Sequence, residues 1–129
     1  PHMKEFDRLF GEHKTWWERI LTARKKAKEL ALIIVLKNQY TFICSPSGDV
    51  YINTSGNPSM ASGGMGDTLT GIIAALIAQN YTAEEAAILG IYIHGKAGDE
   101  LAKKKFIVTA SKLATQIAKS MKKIALKKK

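Results

Sequence analysis

Between Trp16 and Leu30 the apolar residues Trp16, Ile20, Ala23, Ala27 and Leu30 recur at intervals of three and four, with Arg24, Lys25, Lys26 and Lys28 between them. That period is the mark of an amphipathic helix. The pattern runs straight into Leu32-Ile33-Ile34-Val35-Leu36, a continuous, β-branched apolar run short enough to be a strand covered on both faces. A helix feeding such a strand predicts an α/β layer. Tyr40–Cys44 and Val50–Ile52 are two further strand candidates, and Ser45-Pro46-Ser47-Gly48-Asp49 between them supplies turn chemistry, so they should form an antiparallel hairpin. The adjacent Trp16 and Trp17 point about 100° apart on a helix, which places one inward and one at the surface.

From Asn53 to Gly66 the hydrophobic period is lost and Asn, Ser, Gly and Pro dominate. This is not a linker, because Leu69, Ile72, Ile73, Leu76 and Ile77 follow at helical spacing and predict a core helix that the loop feeds directly. Thr82-Ala83-Glu84-Glu85 has the spacing of a capping box, which starts a second helix expected to reach Lys103. A last helix is predicted from about Ser111, with Leu113, Ile117, Met121 and Ile124 on one face and lysines elsewhere. Gly90, Gly95 and Gly98 on the second helix mark places where another backbone comes close. No internal repeat and no domain boundary is visible.

The charge balance bears on the partner. Lys and Arg number 20 against 11 Asp and Glu, for a formal net charge of +9, which suggests nucleic acid or an anionic membrane surface. The distribution removes that suggestion: ten lysines and no acid lie from Lys103 onward, whereas the first 102 residues hold ten bases and eleven acids, a net of −1. The tail reads as a solvated helix face with a frayed end, without the interleaved aromatics or Arg of a nucleic-acid binder. The longest strongly apolar stretch, Gly71–Ala78, is far below the roughly 20 residues that cross a bilayer, so no membrane association is expected. The one cysteine, Cys44, sits in an apolar run, which excludes an internal disulfide and points to a buried, inert thiol in a reducing, cytoplasmic setting.

Chemistry is concentrated in Gly63-Gly64-Met65-Gly66-Asp67-Thr68-Leu69-Thr70-Gly71. Glycines just before a helix let a ligand approach the backbone and leave the first helical amides facing outward, and the helix dipole adds positive potential. Together these make a phosphate cradle. Asp67 has two readings that spacing alone leaves open. It is a favourable residue for a helix start, or it is a base that takes the proton of a substrate hydroxyl attacking a phosphoryl group. His94, among apolar residues of a helix, reads as a buried histidine with satisfied nitrogens, and His13 has no metal-ligand partner at a useful spacing.

The stretch from Gly56 to Ala74, Gly-Asn-Pro-Ser-Met-Ala-Ser-Gly-Gly-Met-Gly-Asp-Thr-Leu-Thr-Gly-Ile-Ile-Ala, resembles the signature of ADP/ATP-dependent NAD(P)H-hydrate dehydratases, members of the ribokinase-like superfamily. Pro1-His2-Met3-Lys4-Glu5-Phe6 is similar to that family's Pro-His-x-x-Glu-Phe segment, Val35-Leu36-Lys37 to its strand ending in Lys-Gly, and Tyr92–Asp99 to its Tyr-Leu-His-Gly-x-Ala-Gly-Asp helix. The resemblance implies ADP/ATP-dependent dehydration of (S)-NADHX and (S)-NADPHX to NADH and NADPH, a metabolite-repair lyase reaction through phosphorylation of the hydrate hydroxyl and loss of phosphate. It implies Asp67 as the base, His2, Asn57 and Asp67 as substrate contacts, and Lys37, Asn38, Gln39, Tyr40, Thr41, Gly63, Gly64 and Gly66 as the nucleotide and phosphate site. ATP or ADP with Mg²⁺ is expected; no carboxylate cage for the metal is visible, so it would travel with the nucleotide. Departures fall at Asn38 and Ser59, where the family usually has Gly, and at Met65, where it has Ser. Asn tolerates a left-handed backbone, which makes Asn38 a mild change.

The implied fold is the ribokinase-like three-layer α/β/α domain, and such a domain has roughly twice this many residues. Residues 1–129 are therefore expected to be its C-terminal portion, completed by a missing N-terminal half and assembling as a homo-oligomer. Another ribokinase-like kinase, acting on a sugar or vitamin precursor, shares the Gly-x-Gly-Asp anion hole. The Pro-His-x-x-Glu-Phe opening and the Gly-Asn-Pro lead-in argue against it, and a basic nucleic-acid-binding module is a more distant alternative.

Overall fold

A computed structural model describes residues 1–126. The chain forms two compact units, residues 1–54 and residues 55 onward, and the boundary falls where the hydrophobic period of the sequence is lost.

The first unit contains helices α1 (Met3–Phe10) and α2 (Trp16–Leu30) and strands β1 (Ile34–Leu36), β2 (Thr41–Cys44) and β3 (Val50–Asn53). The strands form one antiparallel sheet in the order β1-β2-β3, with Ile34 opposite Cys44, Leu36 opposite Phe42 and Cys44 opposite Val50. These alternate residues share one sheet face. Phe6 of α1 and Ala23 and Ala27 of α2 join Ile34, Leu36 and Cys44 in a core, with Trp16, Ile20, Phe42 and Val50 packed at its margin. Trp16 lies beside Phe42 with ring centroids 6.2 Å apart, while Trp17 is exposed, as their angular separation requires. Burial pushes the Cys44 thiol up to about 11, so it is neutral and inert at physiological pH.

Two expectations change in this unit. The apolar run does not form a strand along its whole length: β1 starts at Ile34, and Leu32 stays half exposed. The reason is the Schellman-type end of α2, where Leu32 N donates to Ala27 O at 3.0 Å and Ala31 takes a left-handed φ of 52°. That turn consumes the first residues of the run. Helix α1 was not foreseen, because it buries only Phe6 fully, with Phe10 packed at the core margin, and its N-cap is a histidine. It is held to α2 by Arg19, which donates from Nε and Nη2 to the two carboxylate oxygens of Asp7 at 3.0 and 2.6 Å, and by His13, which bridges Asp7 and Thr22 at 2.8 and 2.9 Å.

The second unit holds a 3₁₀ turn (Pro58–Met60) and helices α3 (Met65–Ala78), α4 (Ala83–Ala102) and α5 (Ala110–Leu126). Helix α4 begins with the expected capping box: Thr82 N donates to Glu85 Oε2 at 2.9 Å and Glu85 N to Thr82 Oγ1 at 3.2 Å. Met65, Ala97, Val108 and Leu113 form a core with Met60 and Ile117 at its edge. The three glycines of α4 lie under close contacts: a Cβ on Gly90 would meet Ile73, on Gly95 Ser55, and on Gly98 Met60. Between α4 and α5 the buried Ser120, the half-buried Gln116 and the exposed Lys123 all donate to Glu100. Burial alone would raise that carboxyl, but donation from Lys123, Ser120 and Gln116 holds it below its ordinary value. Met121, expected on the inner face of α5, is 39% exposed. The frayed end expected of the lysine tail falls on Lys127–Lys129, which lie outside the described residues. Among the described residues no helix is long and apolar enough to cross a membrane.

Candidate functional site

The second unit turns on Gly64. It is the N-cap of α3 with φ 82° and ψ −3°, a left-handed conformation that an L side chain resists, and a Cβ there would stand 3.1 Å from the Ala110 Cβ. A glycine cap has no side chain to turn back on the helix, and α3 has no side-chain cap hydrogen bond. In α1, α2 and α4 the N-cap residues His2, Thr15 and Thr82 each accept from the amide of the third helical residue. The first amides of α3 are left for something else.

The side chains around the helix start keep clear of those amides. Met65 turns inward and is buried in the core. Thr68 and Thr70 donate their hydroxyls back to the carbonyls of Gly64 and Gly66 at 3.0 and 2.9 Å. Asp67 occupies the third helical position, where α1, α2 and α4 have glutamates folded onto the N-cap amide. Its shorter carboxylate is exposed and, among the described residues, makes no hydrogen bond or ion pair. Open backbone donors, the positive end of a helix dipole and a free carboxylate therefore stand within one turn.

The loop leading into this turn is pinned at both ends. Asp99 on α4 accepts from Gly56 N at 3.2 Å and from Asn57 Nδ2 at 2.9 Å, while Asn57 Oδ1 accepts from Ser59 N at 3.0 Å. Farther on, Val108 N donates to Ser59 O at 2.9 Å and Ser62 Oγ to Val108 O at 2.8 Å. His94 donates from Nε2 to the carbonyl of Met65 at 3.2 Å, a structural contact, although the ring is half-buried rather than buried as expected. Asn57 and Gly63–Asp67 are thus successive parts of one braced segment. The signal for Asp99 was present in the Tyr92–Asp99 motif, but nothing local ties it to a loop more than 40 residues earlier.

In the first unit, His2 and the Lys37–Thr41 stretch come together. Lys37 N donates to Pro1 O at 2.8 Å, and His2 bridges Lys37 in parallel. His2 caps α1: its amide donates to Glu5 Oε2 at 2.7 Å and its Nδ1 accepts from Glu5 N at 3.4 Å, leaving the ring half exposed. The hydrogen bond from the His2 amide holds the Glu5 carboxyl below its ordinary value. Asn38, Gln39 and Tyr40 form the exposed connector between β1 and β2, and Thr41 opens β2.

The departures from the family pattern have local explanations. Asn38 is not in the left-handed region, so its tolerance of that region is not called upon. Ser59 sits inside the 3₁₀ turn with both backbone groups bonded, and Met65 fills core space. Among the described residues no group of three or more His, Cys, Asp and Glu side chains gathers as a metal site.

The class of the protein follows from the solved structures it resembles. A ribokinase-like superfamily protein from Enterococcus faecalis matches with a TM-score of 0.81 at 37% identity, over 95% of this chain and 43% of that one. An ADP/ATP-dependent NAD(P)H-hydrate dehydratase from Bacillus subtilis, co-crystallised with ATP and Mg²⁺, matches with a TM-score of 0.88 at 31% identity, over 95% of this chain and 46% of that one. The fold is ribokinase-like α/β. The family model for NAD(P)H-hydrate dehydratase matches residues 1–122, and the chain belongs to that family. The bifunctional NAD(P)H-hydrate repair enzyme Nnr of Moorella thermoacetica is 47% identical over 107 residues, 81% of this chain and 20% of that protein. The chain thus spans less than half the length of these relatives.

Proposed function

We propose that this chain carries the phosphoryl-transfer centre of an ADP- or ATP-dependent NAD(P)H-hydrate dehydratase, which returns (S)-NADHX and (S)-NADPHX to NADH and NADPH. The observation that carries this reading is the uncapped start of α3, with left-handed Gly64 ahead of it and, in its first turn, an Asp67 carboxylate unpaired among the described residues. Asp67 accepts the proton of the hydrate hydroxyl as that oxygen bonds to the terminal phosphorus and the phosphorus–oxygen bond to the nucleotide breaks. The amides of Gly64 and Gly66 hold the phosphoryl oxygens, and Gly63 keeps the approach free of a side chain. The new phosphate then leaves with the carbon–oxygen bonding pair, and loss of a proton from the neighbouring ring carbon restores the double bond.

His2 and Asn57 contact the hydrated cofactor, and Lys37, Asn38, Gln39, Tyr40 and Thr41 bind the nucleotide. Mg²⁺ would come with the nucleotide held by these residues and would supply neutralisation of charge at the phosphoryl group. Asp67 is the one Asp or Glu between residues 50 and 83, so the residues present suit an anion that brings its own metal better than a protein-built cage.

We further propose that the chain works as the C-terminal part of a ribokinase-like domain, in a cytoplasmic homo-oligomer. Its coverage of the solved relatives supports the reading as part of a larger domain, as do the large apolar side chains Leu32 and Ile52, exposed to 52% and 60% in the small sheet unit. Supplying the N-terminal half, in one chain or as two, tests the function. Hydrated NADH incubated with ATP or ADP should regain dihydronicotinamide absorbance, with the nucleotide consumed in step. No recovery with either nucleotide would refute the reading.

A further inference from the structure

Asn57 and Asp99 form a pair whose chemistry goes beyond bracing a loop. Asn57 uses its two amide ends differently: Oδ1 accepts from Ser59 N at 3.0 Å, and Nδ2 donates to Asp99 Oδ1 at 2.9 Å. A carboxylate only accepts and a backbone N–H only donates, so the opposite amide orientation would set oxygen against oxygen and N–H against N–H. Asp99 and the Ser59 amide therefore fix which way Asn57 faces. The second Asp99 oxygen accepts from Gly56 N at 3.2 Å, which holds the backbone just before Asn57 as well. The close contacts of α4 support the same placement. Gly95 lies under Ser55 and Gly98 under Met60, so the loop rests directly on the helix that presents Asp99.

Nδ2 has two hydrogens. One goes to Asp99, and among the described residues the other has no partner. We infer that Asp99 is a positioning residue that orients the remaining Nδ2–H of Asn57 as a donor to an acceptor oxygen of the hydrated cofactor. This rests on the proposed dehydratase reading. Asp99 does not touch substrate or nucleotide in this account; it acts through Asn57 by a charge-assisted hydrogen bond that no neutral residue of the same shape replaces.

Three variants of the complete enzyme separate this role from simple support of the loop. Asp99→Asn keeps the shape but removes the charge and sets an NH₂ group against either Gly56 N or Asn57 Nδ2, which loosens the hold on the Asn57 amide and leaves Ser59 N alone to orient it. The KM for hydrated cofactor should rise by about two- to tenfold, the loss expected when one hydrogen bond from the neutral Asn57 amide to the ligand is removed, while the KM for nucleotide and kcat change little. Asn57→Asp removes the Nδ2 donor and should raise the same KM. The double variant Asn57→Asp with Asp99→Asn exchanges the pair. Asn at 99 donates to Asp at 57, Ser59 N keeps its acceptor and Gly56 N keeps an oxygen, but no donor faces the ligand. Amide exchange at Gly56 and Ser59 should then match the wild type while the KM for hydrate stays raised. Recovery of the wild-type KM in the exchanged pair would overturn the inference, as would an unchanged KM in Asp99→Asn. A wild-type enzyme with no hydrate turnover would instead refute the dehydratase reading, and amide exchange in Asp99→Asn would still report whether Asp99 fixes the loop.

Discussion

Three glycine-to-alanine changes should give three different outcomes, because the space around each Cβ differs. Gly71 lies in α3 with nothing within 4 Å of an added Cβ. Alanine there gains helix propensity, about 1 kcal/mol, with no contact to oppose it. At Gly98 the new methyl would run into the Met60 side chain, nearest its Sδ, with Cε at 2.6 Å and Cγ at 2.7 Å. A methionine can swing aside, so overpacking of about 1–2 kcal/mol is largely offset by the same propensity gain. At Gly95 the obstacle is backbone, the Ser55 carbonyl carbon at 2.7 Å and its oxygen at 2.8 Å. Backbone has no alternative rotamer, so the cost sits at the upper end of overpacking, about 3 kcal/mol, and a net loss of about 2 kcal/mol remains. Urea unfolding of the complete protein, followed by circular dichroism, should rank the variants Gly71→Ala above wild type, Gly98→Ala near it and Gly95→Ala well below. In a Met60→Ala background the Gly98→Ala cost should vanish. Equal stability of Gly95→Ala and Gly98→Ala, or a Gly98→Ala cost that persists without Met60, would refute the packing argument.

Two solution properties follow from the first unit. Arg19, and after it His13, hold the Asp7 carboxyl below its ordinary value, so this cluster contributes stability above the unfolded carboxylate range, near pH 4, and loses it as pH falls through the lowered native value. Asp7→Asn should flatten the acid limb of a pH–stability curve; an unchanged limb would show that the cluster contributes nothing. Cys44, with its thiol raised to about 11 by burial, should resist iodoacetamide at pH 8 in the native protein and react on unfolding. Rapid native alkylation would contradict its place in the core.

Local chemistry was legible where it was self-contained. Helix α2 spans Trp16–Leu30 as its period required, Thr82 caps α4 through Glu85, and β2 and β3 form the hairpin that the Pro46 and Gly48 turn called for. The crowding at Gly90, Gly95 and Gly98 could be foreseen because glycine inside a helix costs propensity and needs a packing reason. What escaped depended on partners distant in sequence or on unusual caps. Helix α1 starts at a histidine and buries one phenylalanine, too little for a period to show. The apolar run after α2 lost its first residues to a left-handed Ala31, a conformation alanine does not announce. In the site, spacing left the role of Asp67 open between a helix-start residue and a base, whereas the glycine-led helix start could be read from neighbours in sequence. The bracing by Asp99, Val108 and Ser62 could not, because it joins the loop to α4 and to the approach of α5.

The claim that Asp67 removes the proton of the hydrate hydroxyl is tested most directly by Asp67→Asn in the complete enzyme. The substitution keeps shape and the helix start but cannot accept the proton. Positioned general bases contribute about 10²–10⁴-fold, so kcat for recovery of the dihydronicotinamide absorbance should fall by that order while nucleotide affinity, measured by titration calorimetry, stays within a few-fold of wild type. Wild-type kcat in Asp67→Asn would contradict the account.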